Sequence, residues 1–185
     1  MKRYIVLIWL ISITLTINAD NDYQFIVKGG IGSSSVVGKD ADVDALYLAH
    51  KIDLSYDWCL SERVSVMPTL GFACKGFNSD RNYLMYYVQM PVIAAYKIPI
   101  AQNKKFSFEA GPYIAYGLFS LSGVGVEQIN IFKYANRFDF GAVIGINYQF
   151  NRTLVGIEYS HALTKLASNV KAYNQVLEIV CGYKF

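Results

Sequence analysis

The chain has 185 residues, a length that suits one domain, and 54% of them are hydrophobic, with 15 Tyr and 11 Phe among them. The formal net charge of +3 falls to +1 when the basic residues at positions 2 and 3 are removed with the N-terminal segment. A near-neutral chain of this kind argues against a nucleic-acid partner. Beyond the N-terminal segment no apolar run is long enough for a spanning helix, so the hydrophobic residues must be spread over shorter elements.

The first 20 residues have the pattern of an export signal. Two basic residues precede an uncharged apolar run from Tyr4 to Ile17, and the small residue Ala19 follows. This pattern predicts a cleaved secretory signal peptide over 1–19 and a mature domain over 20–185. The alternative is a membrane-anchoring helix, but the run is shorter than the ~20 residues that a spanning helix needs. No cysteine directly follows the run, which argues against a lipoprotein anchor.

Three cysteines, Cys59, Cys74 and Cys181, lie in the exported part of the chain. An odd number cannot pair completely, and the three are placed on separate predicted strands or turns. The sequence therefore predicts no disulfide framework, and we interpret these residues as small apolar fillers.

After the signal, apolar and polar residues alternate with a period of two, which predicts strands rather than helices. Pro68 weakens one of these predictions, because proline removes a backbone donor from the ladder. The predicted strands are 23–34, 46–58, 63–75, 83–98, 106–119, 136–150, 154–163 and 176–185.

The stretch 136–150 shows the alternation most clearly. One face carries only apolar residues, from Phe138 through Ile144 to Phe150, and the other carries mostly polar or small residues such as Arg137 and Asp139. Soluble strands are usually about five or six residues long. This strand is long enough to cross a bilayer at a tilt, for which roughly 9 to 11 residues suffice. The pattern predicts one face toward lipid and one toward a closed lumen.

The connections support an even-stranded membrane barrel. The first, third, fifth and seventh are predicted to be longer than the second, fourth and sixth, as in barrels with long outer loops and short periplasmic turns. Aromatic residues cluster at the short-turn ends, where amphipathic rings form an interfacial girdle. They are Tyr56, Trp58, Tyr96, Phe106, Tyr148, Phe150, Tyr183 and Phe185.

Several segments resemble the outer-membrane β-barrel domain family common in Bacteroidetes, which includes PorT-like proteins and small barrels of the porin family. They are FIVKGGIG, YVQMPVIAAYKIP, FEAGPYIAYGL, NRFDFGAVIGINYQF, LVGIEYSHAL and VLEIVCGYKF. The resemblance implies an all-β, eight-stranded antiparallel barrel integral to the outer membrane of a Gram-negative cell, in contact with its lipid. It also implies that the outer-membrane assembly machinery reads the terminal alternation, of which Leu177, Ile179, Tyr183 and Phe185 form the apolar side.

The predicted inward face is rich in charges. By the strand registers it carries Lys28, Lys51, Asp53, Asp57, Lys97, Glu109, Arg137, Asp139, Glu158, Glu178 and Lys184. An eight-stranded barrel is just wide enough for its own side chains, and an unpaired buried charge costs several kcal/mol. We therefore predict an internal ion-pair network that plugs the lumen, with Lys97 paired to Glu109 and Lys28 to Glu178. The alternative is a polar path for a small solute.

The candidate catalytic pair in the sequence is Ser160 with His161. Ser160 and His161 are neighbours, but neighbours in a strand point to opposite faces, and a hydroxyl nucleophile needs its base within hydrogen-bonding reach. The run GGIGSSS lacks the strand-to-helix context of a phosphate loop and is interpreted as a strand end and loop. The sequence predicts no enzyme, cofactor or metal.

Three functions remain open. The first is a structural or surface-interaction role through the outer loops. The predicted loop 120–135, with Val124, Val126, Ile129, Ile131 and Phe132, is apolar enough to suggest an unidentified extracellular or envelope partner. The second is a narrow channel or carrier for small solutes, and the third is a lipid-modifying barrel enzyme.

Overall fold

The computed structural model describes residues 25–39, 46–78, 82–122, 131–167 and 170–185. This part of the chain is almost entirely antiparallel strand. None of its helices is long or apolar enough to span a bilayer. The strands are β1 Phe25–Val37, β2 Tyr47–Tyr56, β3 Trp58–Cys59, β4 Val64–Asn78, β5 Asn82–Ala101, β6 Lys104–Ser122, β7 Phe138–Phe150, β8 Thr153–Ala162 and β9 Tyr173–Lys184, with one 3₁₀ helix over Ile131–Lys133.

The sheet closes on itself. Each strand pairs with its neighbours in the order β2-β1-β9-β8-β7-β6-β5-β4-β3, and an additional pairing of β2 with β4 joins the ends. The two-residue β3 also pairs with β4, so it continues the path of β2 beyond Asp57. The described strands therefore form an eight-stranded antiparallel barrel, which confirms the predicted fold.

Side chains alternate between the outside of the barrel and its interior. In β7, Ile144 is 57% exposed, whereas Asp139 is 4% exposed. The same alternation runs through β5, where exposed Val92, Ala94 and Tyr96 separate buried Ile93 and Ala95. The polarity is inverted relative to a soluble protein, because large apolar side chains lie outside and charged ones lie inside. This inversion is typical of a barrel whose outer face contacts lipid.

The short turns lie at the end of the barrel that also holds Phe25 and Phe185. Two of these turns contain Asn103 and Asn151, whose φ angles are 62° and 53°. Asparagine adopts this left-handed region more readily than most residues. The backbone N–H of Asn151 donates to the carbonyl of Asn103 at 2.8 Å, and that of Phe185 donates to Phe25 at 2.8 Å. Adjacent hairpins and the chain terminus are thus fastened together.

Aromatic rings pair at this end, where the sequence placed a girdle. Phe106 and Tyr148 have centroids 5.1 Å apart. Tyr183 and Phe185 meet edge to face at 5.0 Å. A third pair joins Tyr56 to its neighbour on β1 at 5.2 Å.

Several strands are longer than predicted. The third predicted connection, 76–82, is shortened from both sides, because β4 continues to Asn78 and β5 begins at Asn82. The turn predicted between the strands 83–98 and 106–119 reduces to residues 102 and 103. Gly, Asn and Pro in these stretches resemble turn signals, but the antiparallel ladder continues through them. The prediction of a long third connection is therefore wrong: only 79–81 separate β4 from β5.

The structure also bears on four smaller predictions: the GGIGSSS run, Pro68, the cysteines and the signal peptide. The GGIGSSS run is not a loop, since β1 extends to Val37. Pro68 stays within β4, opposite Val92 of β5. All three cysteines are free; Cys74 is buried, but Cys59 and Cys181 are exposed, so the filler interpretation fits only the first. The predicted signal peptide, 1–19, lies outside the described residues.

Candidate functional site: the charged lumen

The lumen holds three groups of ion pairs, which we name by their position along the barrel. The inner cluster is Asp57, Lys97 and Lys184. The middle cluster is Lys28, Lys51, Asp53, Glu109, Glu158 and Glu178. The outer cluster is Lys75 and Asp139. All these side chains are at most 10% exposed.

In the inner cluster a single carboxylate binds two lysines. Lys97 Nζ lies 2.8 Å from both carboxylate oxygens of Asp57. Lys184, at the end of β9, also donates to this carboxylate. Asp57 lies between β2 and β3 and faces inward because it continues the alternation that places Asp53 and Ser55 inside. The link between β2 and β3 is thereby connected to β5 and β9 at the short-turn end.

The middle cluster spans the barrel. Lys28 Nζ lies 2.8 Å from Glu158 and 3.2 Å from Glu109. Lys51 binds Glu158 as well, and its Nζ lies 3.3 Å from Asp53. Glu178 contacts Lys51 at 3.5 Å. These bonds join strands that are not neighbours in the wall, such as β1 with β6 and β2 with β8.

Polar neighbours complete the middle cluster. Gln89 Nε2 donates to Asp53 at 3.2 Å, and Ser107 Oγ donates to Glu109 at 3.1 Å. The cluster contains two lysines and four carboxylates, so these extra donors help to stabilise the carboxylate charge in the interior.

The outer cluster contains a lysine that the sequence analysis missed. Lys75 Nζ lies 2.7 Å from Asp139 and donates to Tyr113 Oη at 3.2 Å. The ammonium also lies 4.4 Å from the centroid of the Tyr113 ring. Thr164 Oγ1 donates to the second oxygen of Asp139 at 2.9 Å. The alternation of β4, carried two residues beyond Ala73, would have placed Lys75 inside.

An aromatic side chain covers the outer cluster. Phe132, in the 3₁₀ helix, is 8% exposed and meets the Tyr87 ring edge to face at 5.7 Å. Its ring lies against Gly117, where a larger residue would collide with it. Phe132 is thus part of the lumen filling and not of an apolar outer surface, as the sequence had suggested. Val124, Val126 and Ile129 lie outside the described residues.

Arg137 is not part of the ion-pair network. Its Nη1 donates to the carbonyls of Gly117 at 2.9 Å and Leu118 at 3.1 Å. The guanidinium stacks over Phe132, 5.1 Å from the ring centroid. No carboxylate in the described part of the chain pairs with it. The prediction of Arg137 as a lumen charge is therefore wrong. This residue lies half-buried at the outer rim, one position before the start of β7.

The structure also corrects both predicted ion pairs. Lys97 binds Asp57 and not Glu109, and Lys28 binds Glu109 and Glu158 and not Glu178. The backbone register explains the second case, because Lys28 lies opposite Gly182 on β9, four residues from Glu178. Lysine side chains reach across the lumen instead of along the wall.

A small space remains beside the middle cluster. A cavity of about 30 Å³ in the middle of the lumen is lined by residues that include Lys51, Asp53 and Glu158. A water needs roughly 10 to 15 Å³ by this measure, so the cavity has room for about two.

The histidines lie on the outside of the barrel. His161 Nδ1 is 3.3 Å from Tyr159 Oη, and its ring stacks between Tyr159 and Tyr173. Ser160 instead lines the lumen cavity. His50 contacts the Tyr86 ring at 5.9 Å. Within the described residues no hydrogen bond joins a histidine to a serine, and no three His, Cys, Asp or Glu side chains are grouped as a metal site requires.

Comparisons with known proteins agree with this architecture. The model of the family described as "Outer membrane protein beta-barrel domain" matches residues 9–168. A comparison with curated proteins found no match. Among solved structures, the outer membrane enzyme PagL is similar with a TM-score of 0.58 and 14% identity, over 85% of this chain and 98% of that chain.

Two further solved structures are similar in the same way. Neisserial surface protein A gives a TM-score of 0.57 and 12% identity, over 87% of this chain and 97% of that one. Ail, the attachment invasion locus protein of Yersinia pestis, gives 0.50 and 13%, over 89% of this chain and 100% of that one. At these identities the likeness concerns the fold.

Proposed function

The chain belongs to the outer membrane β-barrel domain family and resides in the outer membrane, and we propose that it is a closed, non-conducting barrel that acts through its outer surface. The observation that carries this proposal is the stack of three buried ion clusters with Phe132 above them. Eight strands leave an interior that side chains can fill, and here charged side chains from non-neighbouring strands fill it.

Moving an ion through this lumen requires buried pairs to separate. Breaking a buried pair by removing one partner costs about 3 to 5 kcal/mol, because the other charge remains buried without its counterion. An ion passing from the outer to the inner cluster would have to disturb pairs of this kind at several levels in turn. The network therefore supports a wall-bracing role rather than a path.

Planar-bilayer recordings test the proposal. Purified protein should give little or no steady current across a range of salt concentrations. Folding in the same sample is verified by the shift in gel mobility on heating, so that a silent membrane contains native barrels. Large, stable single-channel currents would overturn the proposal and support a narrow channel, for which the polar cavity of about 30 Å³ is the favouring observation.

A lipid-modifying enzyme is a second class of function, and the similar fold of PagL is the reason to test it. The arrangement of the histidines supports a non-enzymatic role, because a nucleophile needs a base within hydrogen-bonding reach. Mass spectrometry of outer-membrane lipids should show the same acyl composition with the wild type as with His161→Ala. Loss of an acyl chain that depends on His161 would establish the enzyme.

Export and assembly complete the proposal. We expect cleavage after Ala19, so that sequencing of the mature protein begins at Asp20. The apolar side of β9, with Leu177, Ile179 and Tyr183, is exposed on the outside together with Phe185, where assembly machinery can contact it. We also propose that the chain is a PorT-like member of this family. Crosslinking and affinity capture from intact cells would identify an envelope or extracellular partner.

A further inference from the structure

A cleft lies at the outer rim, where the end of β6 and the start of β7 meet the segment after β8. It is shallow and widely open to the outside, with a volume of about 670 Å³. Sites for small ligands usually measure roughly 300 to 1,000 Å³. Its walls include Tyr116 and Phe138 below and Arg137 and Lys165 above, and we call it the rim cleft.

Hydrogen bonds between the surrounding segments fix the walls. The backbone N–H of Asn136 donates to the carbonyl of Leu166 at 2.7 Å. The side-chain amide of Asn136 donates to the carbonyl of Lys165 at 2.9 Å. On the other wall the N–H of Gly117 donates to the carbonyl of Arg137 at 2.7 Å. These bonds connect the segments that form both walls of the cleft.

The upper wall is cationic and contains hydrogen-bond donors that have no acceptor among the described residues. The two N–H groups of Arg137 Nη1 serve the carbonyls of Gly117 and Leu118. A guanidinium has five donors, and within the described part of the chain those on Nε and Nη2 have no acceptor and can serve a ligand. Lys165 is exposed, and no carboxylate among the described residues pairs with either cation. Asp139 is close in sequence but is buried with Lys75 and Thr164.

The lower wall belongs to the apolar outside of the barrel. Tyr116 and Phe138 are directly opposed across β6 and β7 and are 50% and 55% exposed. Exposed Ile114 and Phe140 form the next pair toward the middle of the barrel. The aromatic wall thus continues without a break into the surface that faces the acyl chains.

We propose that the rim cleft binds a phosphate-bearing lipid of the outer leaflet, with its phosphate against Arg137 and Lys165 and an acyl chain along Tyr116 and Phe138. Arginine is well suited to phosphate, because its planar fork donates two parallel hydrogen bonds. An anionic group close above an apolar wall matches a lipid better than a soluble anion, which would leave that wall uncovered. The site is independent of whether the lumen conducts.

Native mass spectrometry of the full-length mature protein in detergent tests this assignment. The probes are diphosphoryl lipid A, the same lipid after phosphate removal, and inorganic phosphate. We expect saturable binding of diphosphoryl lipid A and a loss of about fivefold to tenfold in affinity for Arg137→Gln and for Lys165→Gln. Arg137→Lys should lose less than Arg137→Gln, since it keeps the charge but not the fork.

Lys104→Gln is the matched control, because it removes one exposed positive charge at the start of β6, at the short-turn end of the barrel and opposite the rim cleft. It should bind as the wild type does. Equal losses for all three glutamine variants would indicate a general charge effect and overturn the site. Equal binding of the dephosphorylated lipid, or saturable binding of inorganic phosphate alone at the same affinity, would also overturn it. Variants that lose the heat-dependent gel shift are excluded as unfolded.

Discussion

At the residue scale, glycines inside the barrel decide where the charged side chains can lie. A Cβ on Gly71 would collide with a carboxylate oxygen of Asp53, and one on Gly156 would collide with the amide oxygen of Asn147. Gly182 lies 2.8 Å, measured from an added Cβ, from Lys28 Cγ. Each glycine on one strand therefore makes room for a long or charged side chain from the next. A lumen this full depends on small residues as much as on charged ones.

Gly71→Ala should weaken the middle cluster. The new methyl group would push Asp53 away from Lys51 and Gln89, which it contacts at 3.3 and 3.2 Å. Overpacking of a filled interior costs about 1 to 3 kcal/mol. The free energy of unfolding, measured by urea titration in lipid vesicles, should fall by this amount. Gly29→Ala is the control: its Cβ would meet nothing nearer than 4.0 Å, and an equal loss there would contradict the packing argument.

At the scale of the element, a side chain of β1 continues the hydrogen bonding of β4 beyond the point where β2 and β4 stop pairing. We call the β2–β4 junction the seam. Pairing of β2 with β4 ends, toward the outer end, at His50 and Cys74. Two residues further along β4, the hydroxyl of Ser34 from β1 accepts from the Gly76 N–H at 2.7 Å and donates to the Gly76 carbonyl. The Ser34 side chain thus satisfies two backbone groups of β4 that β2 leaves without a hydrogen bond.

Ser34→Ala should therefore destabilise the outer half of the seam. It would leave both backbone groups of Gly76 buried without their partner, at a cost of about 1 to 3 kcal/mol. Hydrogen exchange should show faster exchange of the Gly76 amide, while the inner half of β4 keeps its protection. Ser35→Ala is the control, because its hydroxyl accepts only from Gln175 in the described contacts. It should leave the exchange of the Gly76 amide unchanged. Unchanged exchange at Gly76 in Ser34→Ala would rule out the proposed role.

The outward face of β7 makes a second prediction about an element. Ile144 lies midway along the strand and Phe150 at its inner end, on the same face, 57% and 49% exposed. An arginine on the lipid face costs about 2 to 4 kcal/mol at the bilayer midplane and about 0 to 1 near the interface. Ile144→Arg should thus reduce assembled barrel in the outer membrane, measured by the gel shift, far more than Phe150→Arg. Equal tolerance would place the lipid face elsewhere.

At the scale of the whole molecule, the wall was predictable from the sequence, because the period of two fixes which face each residue occupies. Alternation placed Lys28, Glu109 and Glu158 inside without any knowledge of the register. The same alternation places Lys75 inside, but this lysine was missed because it was the last residue of the predicted strand 63–75, directly before Gly76 and its turn-like neighbours. Local turn signals were weaker than the ladder that continues through them.

The partners inside the lumen could not be predicted in the same way. Which lysine pairs with which carboxylate depends on the tilt of the strands and on how far each side chain extends across the lumen. Neither quantity can be inferred from the spacing of residues along the sequence. Lys28 and Glu178 lie on adjacent strands yet are offset by four residues, while Glu109 comes from the opposite wall. Arg137 shows the same limit, since the alternation of β7 does not extend to the rim.

These contacts lead to a prediction about the closed barrel as a unit. Lys28 joins β1 to β6 through Glu109, at 3.2 Å, whereas Glu178 on the adjacent strand makes no ion pair with it. Lys28→Met should lower the free energy of unfolding by about 3 to 5 kcal/mol, because it leaves carboxylates buried without their cation. Adding Glu109→Gln should recover part of that loss, and adding Glu178→Gln should recover less.

A double-mutant cycle for each pair measures the difference. Trp58, the only tryptophan outside 1–19, lies at the short-turn end and is 43% exposed, so its fluorescence reports unfolding from the bilayer. The coupling energy should be larger for Lys28 with Glu109 than for Lys28 with Glu178, since contacting groups couple and separated ones approach additivity. Equal coupling would mean that the lumen acts as a diffuse charge reservoir. In that case the bracing of opposite walls by particular ion pairs would be wrong.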